Sequence, residues 1–148
     1  MAWDDLRKGR WSEAGRAYHV TNVVAGRRPI FRDLRLGRVV VREMKRLEDE
    51  RVVASLAFVV MPDHLHWLFI LQDRITLSEV MRRLKGRSAY LLAEETNHRP
   101  FWQRAFHDHA IRSDEDLRVI ARYIVANPLR AGLVNRIADY PLWDAVWV

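Results

Sequence analysis

Two histidines separated by one residue, in the stretch Met61-Pro-Asp-His64-Leu-His66, are the side chains of this 148-residue chain best suited to chemistry. Side chains alternate along a strand, so His64 and His66 share one face, while Leu65, Trp67, Phe69 and Leu71 share the other. Two imidazoles on one pleated face can ligate a single cation, and histidine is the commonest metal-ligating side chain. The same pair would serve equally as two histidines bonded to backbone carbonyls beside a sheet. Pro62 and Asp63 read as a tight turn, which sets the pair at the start of a strand near the rim. No Asp or Glu stands at the spacing of a zinc motif such as His-Glu-x-x-His, so a third ligand has to come from elsewhere: His107, His109 or a polar residue of the last helix.

That helix reads Arg118-Val-Ile-Ala-Arg-Tyr123-Ile-Val-Ala-Asn127-Pro128. Tyr123 and Asn127 are four positions apart and stack on one side, offset from the apolar stripe of Leu117, Ile120 and Ile124. Taken alone, they read as a boundary tyrosine with its hydroxyl in water and an asparagine C-cap.

The remaining elements must position these groups. Residues 16–24 are rich in β-branched and aromatic side chains and read as a strand, broken by residues 26–29. Asp33 caps a helix running to about residue 50, with Leu36, Val40, Met44 and Leu47 as its apolar stripe. Residues 52–61 and 64–71 flank the Pro62 turn as a second and third strand. Thr76 and Glu79 form a capping box that opens a helix to about residue 95, with Leu77, Val80, Met81, Leu84 and Leu91 facing inward. Its other faces carry Arg82, Arg83, Lys85 and Arg87. Residues 101–110 read as a fourth strand or an extended segment. Ser113 caps the last helix and Pro128 ends it. Residues 132–148 show no assignable pattern. The order β-α-β-β-α-β-α fits a single domain over residues 1–148 with an α+β architecture, an antiparallel sheet with helices packed on it.

Composition narrows the chemistry further. There are no cysteines, which removes thiol nucleophiles, cysteine zinc sites and disulfide frameworks, and fits a reducing compartment. The N-terminal stretch has no unbroken apolar run and no window approaches a membrane span, so a soluble cytoplasmic protein without membrane attachment is expected. Lys and Arg number 25 against 19 Asp and Glu, a formal charge of +6 with a pI near 10.3. Excess positive charge draws polyanions, so nucleic acid is the first partner to consider, beside a merely arginine-rich solvated surface.

Four segments together, RAYHVTN, VVMPDHLHWL, FWQRAFHDHAIR and YIVANPLRAGLV, resemble the single-tyrosine HUH transposases, and among these the transposases associated with repetitive extragenic palindromes. The likeness runs from about Arg16 to Trp143. It implies a ferredoxin-like HUH sandwich. It implies His64 and His66 as metal ligands and Tyr123 as the catalytic tyrosine. Asn127 falls where insertion-sequence relatives place a glutamine as third ligand. The resemblance also implies a single-stranded DNA substrate carrying a hairpin with a short unpaired flank, and a monomer where insertion-sequence relatives are dimers.

The chemistry that follows is attack of Tyr123 on a phosphodiester, giving a 5′-phosphotyrosine and a free 3′-hydroxyl, with Mg²⁺ or Mn²⁺ offsetting charge on the phosphate. Mn²⁺ accepts a mixed nitrogen and oxygen donor set more readily than Mg²⁺. Arg82, Arg83, Lys85, Arg87, Arg130 and Arg136 are expected to track the DNA backbone, and Trp102 or Phe101 to stack on a base or else pack in the core. Two other readings compete. One is a hydrolase holding metal with His64, His66, His107 and His109 and using water as nucleophile. The other is a non-catalytic nucleic-acid-binding module.

Overall fold

The computed structural model describes residues 15–112 and 115–147. Five strands form one sheet in the order β4-β1-β3-β2-β5, every neighbouring pair antiparallel. The strands are β1 (Ala17–Val23), β2 (Val53–Met61), β3 (His64–Leu71), β4 (His107–Ala110) and β5 (Trp143–Ala145). The crossover from β1 to β2 is α1 (Leu34–Asp49), and α2 (Leu77–Thr96) connects β3 to β4. This is the α+β ferredoxin-like sandwich that the resemblance implies.

The alternation expected on β3 is present. Leu65, Trp67, Phe69 and Leu71 are all buried. They belong to the core that α1 contributes to through Leu36, Val40, Met44 and Leu47. Asn22, on the same face of β1, donates from Nδ2 to Met81 Sδ of α2 at 3.5 Å, so α2 covers this face. Trp67 lies within the layer, with its ring 4.4 Å from that of Phe69 and Nε1 donating to Ser55 Oγ at 3.0 Å.

The helix starts follow their caps. Asp33 Oδ1 accepts from Arg35 N at 3.0 Å, and Thr76 Oγ1 accepts from Glu79 N at 3.1 Å. Within α2 the inward stripe departs from the expected one: Leu91 is 46 % exposed, and Leu92, fully buried, takes its place. The stripe drifts along a 20-residue helix, because 3.6 residues per turn carries the buried line through Leu84 and Ser88 to Leu92.

Three more elements differ from expectation. Of residues 101–110 only His107–Ala110 pair as a strand, while Trp102 makes an isolated bridge to Val24. The last long helix, α3 (Leu117–Val125), is capped by Asp116, whose carboxylate accepts from Arg118 N at 2.8 Å; Ser113 lies outside the described residues. Pro128 does not end α3 but sits in the first turn of a short helix, α4 (Asn127–Arg130), where a missing N–H costs nothing. The C-terminal segment supplies the edge strand β5, paired to β2 through Ala57 with Ala145 and Val59 with Trp143. Three residues are too few to show a strand period. No described helix is long and apolar enough to cross a membrane.

Candidate active site

The antiparallel registers decide which side chains meet. Thr21 stands opposite His66 and Val23 opposite His64, while His19 and Thr21 stand opposite His109 and His107 on β4. Directly opposed residues share a face. His19, Thr21, His64, His66, His107 and His109 therefore all project from the face that α1 and α2 leave uncovered. α3 crosses the β2 and β5 side of this face, and among the described residues no helix packs on its β1 and β4 side.

His64 and His66 are neighbours, with ring centroids 4.9 Å apart and the rings edge to face. Each has one ring nitrogen engaged by a further side chain. His64 Nδ1 donates to Asp63 Oδ1 at 2.7 Å. His66 Nδ1 lies 3.0 Å from His19 Nε2 and 3.1 Å from Thr21 Oγ1. In both residues Nε2 is the nitrogen left over.

Charge is disfavoured here. Burial, followed by the charges of His64, His19 and Arg130, brings the His66 imidazole down to about 3. His19 is lowered too, first by burial and then by His109. Both rings are thus neutral at ordinary pH, the state in which imidazole can act as a ligand. Partial burial works to raise the Asp63 carboxyl, but its bonds from His64 and Arg27 outweigh that and hold it below the usual carboxylate range.

Tyr123 lies on α3 with 61 % of its surface exposed. The Arg130 guanidinium is stacked 3.8 Å from the centre of its ring, and Arg130 Nη2 donates to the Tyr123 carbonyl at 2.7 Å. The Arg130 charge is felt at His66, which ties the tyrosine's neighbour to the histidine pair. Asn127 is not on the tyrosine helix itself: Ala126 closes α3 and Asn127 opens α4, with Nδ2 donating to Ile124 O at 2.8 Å. That bond leaves the amide oxygen as the acceptor end.

The four cations of α2 are elsewhere. They belong to the helical layer on the covered side and are held by their own chain. Arg82 donates from Nη2 to Glu79 Oε1 at 2.7 Å. Arg83 and Arg87 both reach Glu50, at 3.5 and 3.1 Å. Lys85 Nζ donates to the carbonyls of Gln103 and Arg104. Arg136 pairs with Asp139 at 3.1 Å. Phe101 and Trp102 are 2 % and 4 % exposed, and Trp102 Nε1 donates to Ser88 Oγ, so both are core residues and neither is placed to stack on a base.

The sequence reading missed three partners: Thr21, Asp63 and the stacking of Arg130 on Tyr123. Thr21 was within reach of strand alternation, since His19 and Thr21 are two apart on β1 (like His64 and His66 on β3). It needed the β1–β3 register to pair them. His109 Nε2 lies 3.0 Å from Glu115 Oε2, and His107 is exposed. Among the described residues, no three His, Asp or Glu side chains are placed to hold one metal ion, so the four-histidine cluster of the hydrolase reading is not assembled.

A five-stranded α+β sandwich thus presents His64 and His66 on the face away from α1 and α2, with Tyr123 exposed on α3. The family described as "Transposase IS200 like" matches residues 14–127, and this chain belongs to that family. It is similar to the REP-associated tyrosine transposase of Escherichia coli K12, 31% identical over 86 residues that cover 57% of this chain and 50% of that protein. A Haemophilus influenzae protein provisionally assigned to the same group is 30% identical over 104 residues, covering 59% of this chain and 56% of its own length. The chain thus spans about half the length of the curated relatives it matches. The fold matches a solved REP-associated tyrosine transposase bound to a REP hairpin, with TM-score 0.75 and 24% identity, over 92% of this chain and 80% of that one.

Proposed function

We propose that this protein is a metal-dependent endonuclease and strand transferase for single-stranded DNA, acting on a hairpin substrate through Tyr123. The observation that carries the reading is the oriented histidine pair together with an exposed tyrosine stacked by Arg130, whose charge also acts on His66. A metal-ligating histidine characteristically gives its second ring nitrogen to a carboxylate or another polar group, which fixes its tautomer and orientation. His64 has Asp63 in that role, and His66 has His19 and Thr21. In the tautomer that leaves the His66 Nε2 lone pair available, Nδ1–H donates to His19 Nε2 or Thr21 Oγ1. Two imidazole nitrogens fit a divalent cation that tolerates nitrogen, Mn²⁺ at least as well as Mg²⁺. His64 and His66 would hold it, with the Asn127 amide oxygen as third ligand. Bound there, the cation would polarise the scissile phosphate and offset charge on its oxygens.

The rest falls to the chain's own groups. The Tyr123 oxygen attacks phosphorus and gives up its proton to solvent. The bond from phosphorus to the 3′-oxygen breaks, and that oxygen takes a proton from solvent to become a 3′-hydroxyl. The 5′-phosphate stays on tyrosine. Attack by a 3′-hydroxyl on this linkage reverses the step and rejoins the strand with no external energy source. Arg130 holds a cation over the phenol ring, a guanidinium that can pair with phosphate oxygens beside the attacking group. Its bond to the Tyr123 backbone carbonyl anchors the guanidinium where it can stack on the ring. The protein is read as acting as a monomer; sedimentation at twice 17.5 kDa would contradict that.

The test is a denaturing gel of the protein with labelled single-stranded hairpin oligonucleotides and Mn²⁺ or Mg²⁺, beside Tyr123→Phe. A labelled band at protein mass that disappears in Tyr123→Phe supports the reading. Clean cleavage without that band would point to water as nucleophile and overturn it.

A further inference from the structure

A hollow of about 690 Å³ opens between α2 and residues 99–106. Met81, Ala89 and Phe106 give it apolar surface, and Tyr90, 71 % exposed, also lines it. Arg99 and Arg104 are exposed on its wall and, among the described residues, neither has an acidic partner. No carboxylate lines the space. The wall is fixed in advance: Lys85 Nζ donates to Gln103 O at 2.8 Å and to Arg104 O at 3.0 Å, and Trp102 Nε1 donates to Ser88 Oγ at 2.9 Å.

This composition selects its ligand. An apolar floor with an aromatic ring standing free favours a flat, weakly polar body. Unneutralised guanidinium groups beside it favour phosphate, which they can bind bidentately. An unpaired nucleotide combines the two. The location suits one as well. Phe106 immediately precedes the edge strand β4, whose His107 and His109 share the histidine face. The hollow lies against α2, on the other side of the sheet, so a single strand rounding this edge would touch both.

We propose that the hollow is a binding site for an unpaired base of single-stranded DNA, stacked on Tyr90, with the adjoining phosphates held by Arg99 and Arg104. The proposal rests on the reading of the protein as a DNA strand transferase, and the test separates the two. Affinity for an oligothymidine carrying one 5-iododeoxyuridine is measured for the full chain, for Tyr90→Ala and Tyr90→Phe, and for the Arg99→Ala/Arg104→Ala pair. Irradiation then maps the cross-link.

Tyr90→Ala is expected to weaken binding about fivefold or more, as loss of a base stack does, and Tyr90→Phe to restore it. The arginine pair should reduce the slope of log affinity against log salt by about 1.4, corresponding to two phosphates on a single strand. The cross-link should fall on the peptide holding Tyr90 or Phe106. Unchanged affinity and salt slope, with the cross-link elsewhere, would overturn the hollow as a base site while leaving strand transfer standing if the Tyr123 adduct still forms. A wild-type chain that binds no oligonucleotide and forms no adduct would overturn both.

Discussion

Strand β3 presents two regions built on opposite principles. On one side Leu65, Trp67, Phe69 and Leu71 are buried under helices, held by area and shape with a single directed bond from the Trp67 indole. On the other, His64 and His66 are only partly buried, and each is held by directed bonds: Asp63 on one, His19 and Thr21 on the other. Both sides lose water, one wholly and the other in part, with different results. Desolvation stabilises the aromatic side in proportion to the area it hides. On the histidine side desolvation disfavours a charge on His66 and leaves a neutral ring whose lone pair is available to a cation. A strand that alternates its side chains can therefore carry the core and the chemistry at once, and damage to the two should separate.

The sharpest separation is Tyr123→Phe. It should abolish the covalent DNA adduct entirely while leaving the melting temperature unchanged, because the hydroxyl is on an exposed residue; a gel and a thermal melt on one preparation check both. On the covered side, Trp67→Ala should cost about 3–5 kcal/mol of stability from lost burial and the cavity left behind, read by urea unfolding. A milder result would mean the layer can collapse around the gap. His19→Ala tests the directed bonds: metal affinity, titrated by calorimetry with Mn²⁺, should fall roughly 10- to 100-fold with the fold intact.

Acid should also distinguish the faces. His66 is brought down to about 3, so between pH 6.5 and about 3 the unfolded chain takes up a proton that the folded chain refuses. Stability should be undiminished by this group above pH 6.5 and fall progressively below it. Melting temperatures measured between pH 7.5 and 5 should drop less steeply in His66→Gln. The smallest effect is expected at Arg87→Ala, whose ion pair with Glu50 is a partly exposed contact worth under about 1 kcal/mol. DNA affinity should not change, because that guanidinium is committed to Glu50 of its own chain.

Much of the fold follows from local signals. Strand alternation, the Asp33 and Thr76 caps and the apolar stripe of α1 mark β1 to β3 and the first two helices, and with them the shared face of His64 and His66. Each depends on neighbours within a few residues, where backbone geometry fixes direction. The same physics puts Tyr123 and Asn127 on one side in sequence, but not the break between α3 and α4 that separates them, since proline is compatible with either a helix end or a first turn. The pairing of β5 carries no local signal at all.

What tertiary structure alone decided is partnership. Net charge marked the chain as basic without showing which cations are spent. Glu50 and Glu79 tie down Arg82, Arg83 and Arg87, whereas Arg130 stacks on Tyr123. The β1–β3 register, set by packing of the whole covered face, brings Thr21 and His19 to His66 across more than forty residues of chain. Residue types and their spacing determined which groups could react. Bonds between distant segments determined which of them meet, because a register or an ion pair is chosen by the free energy of the assembled sheet and not by any stretch of it alone.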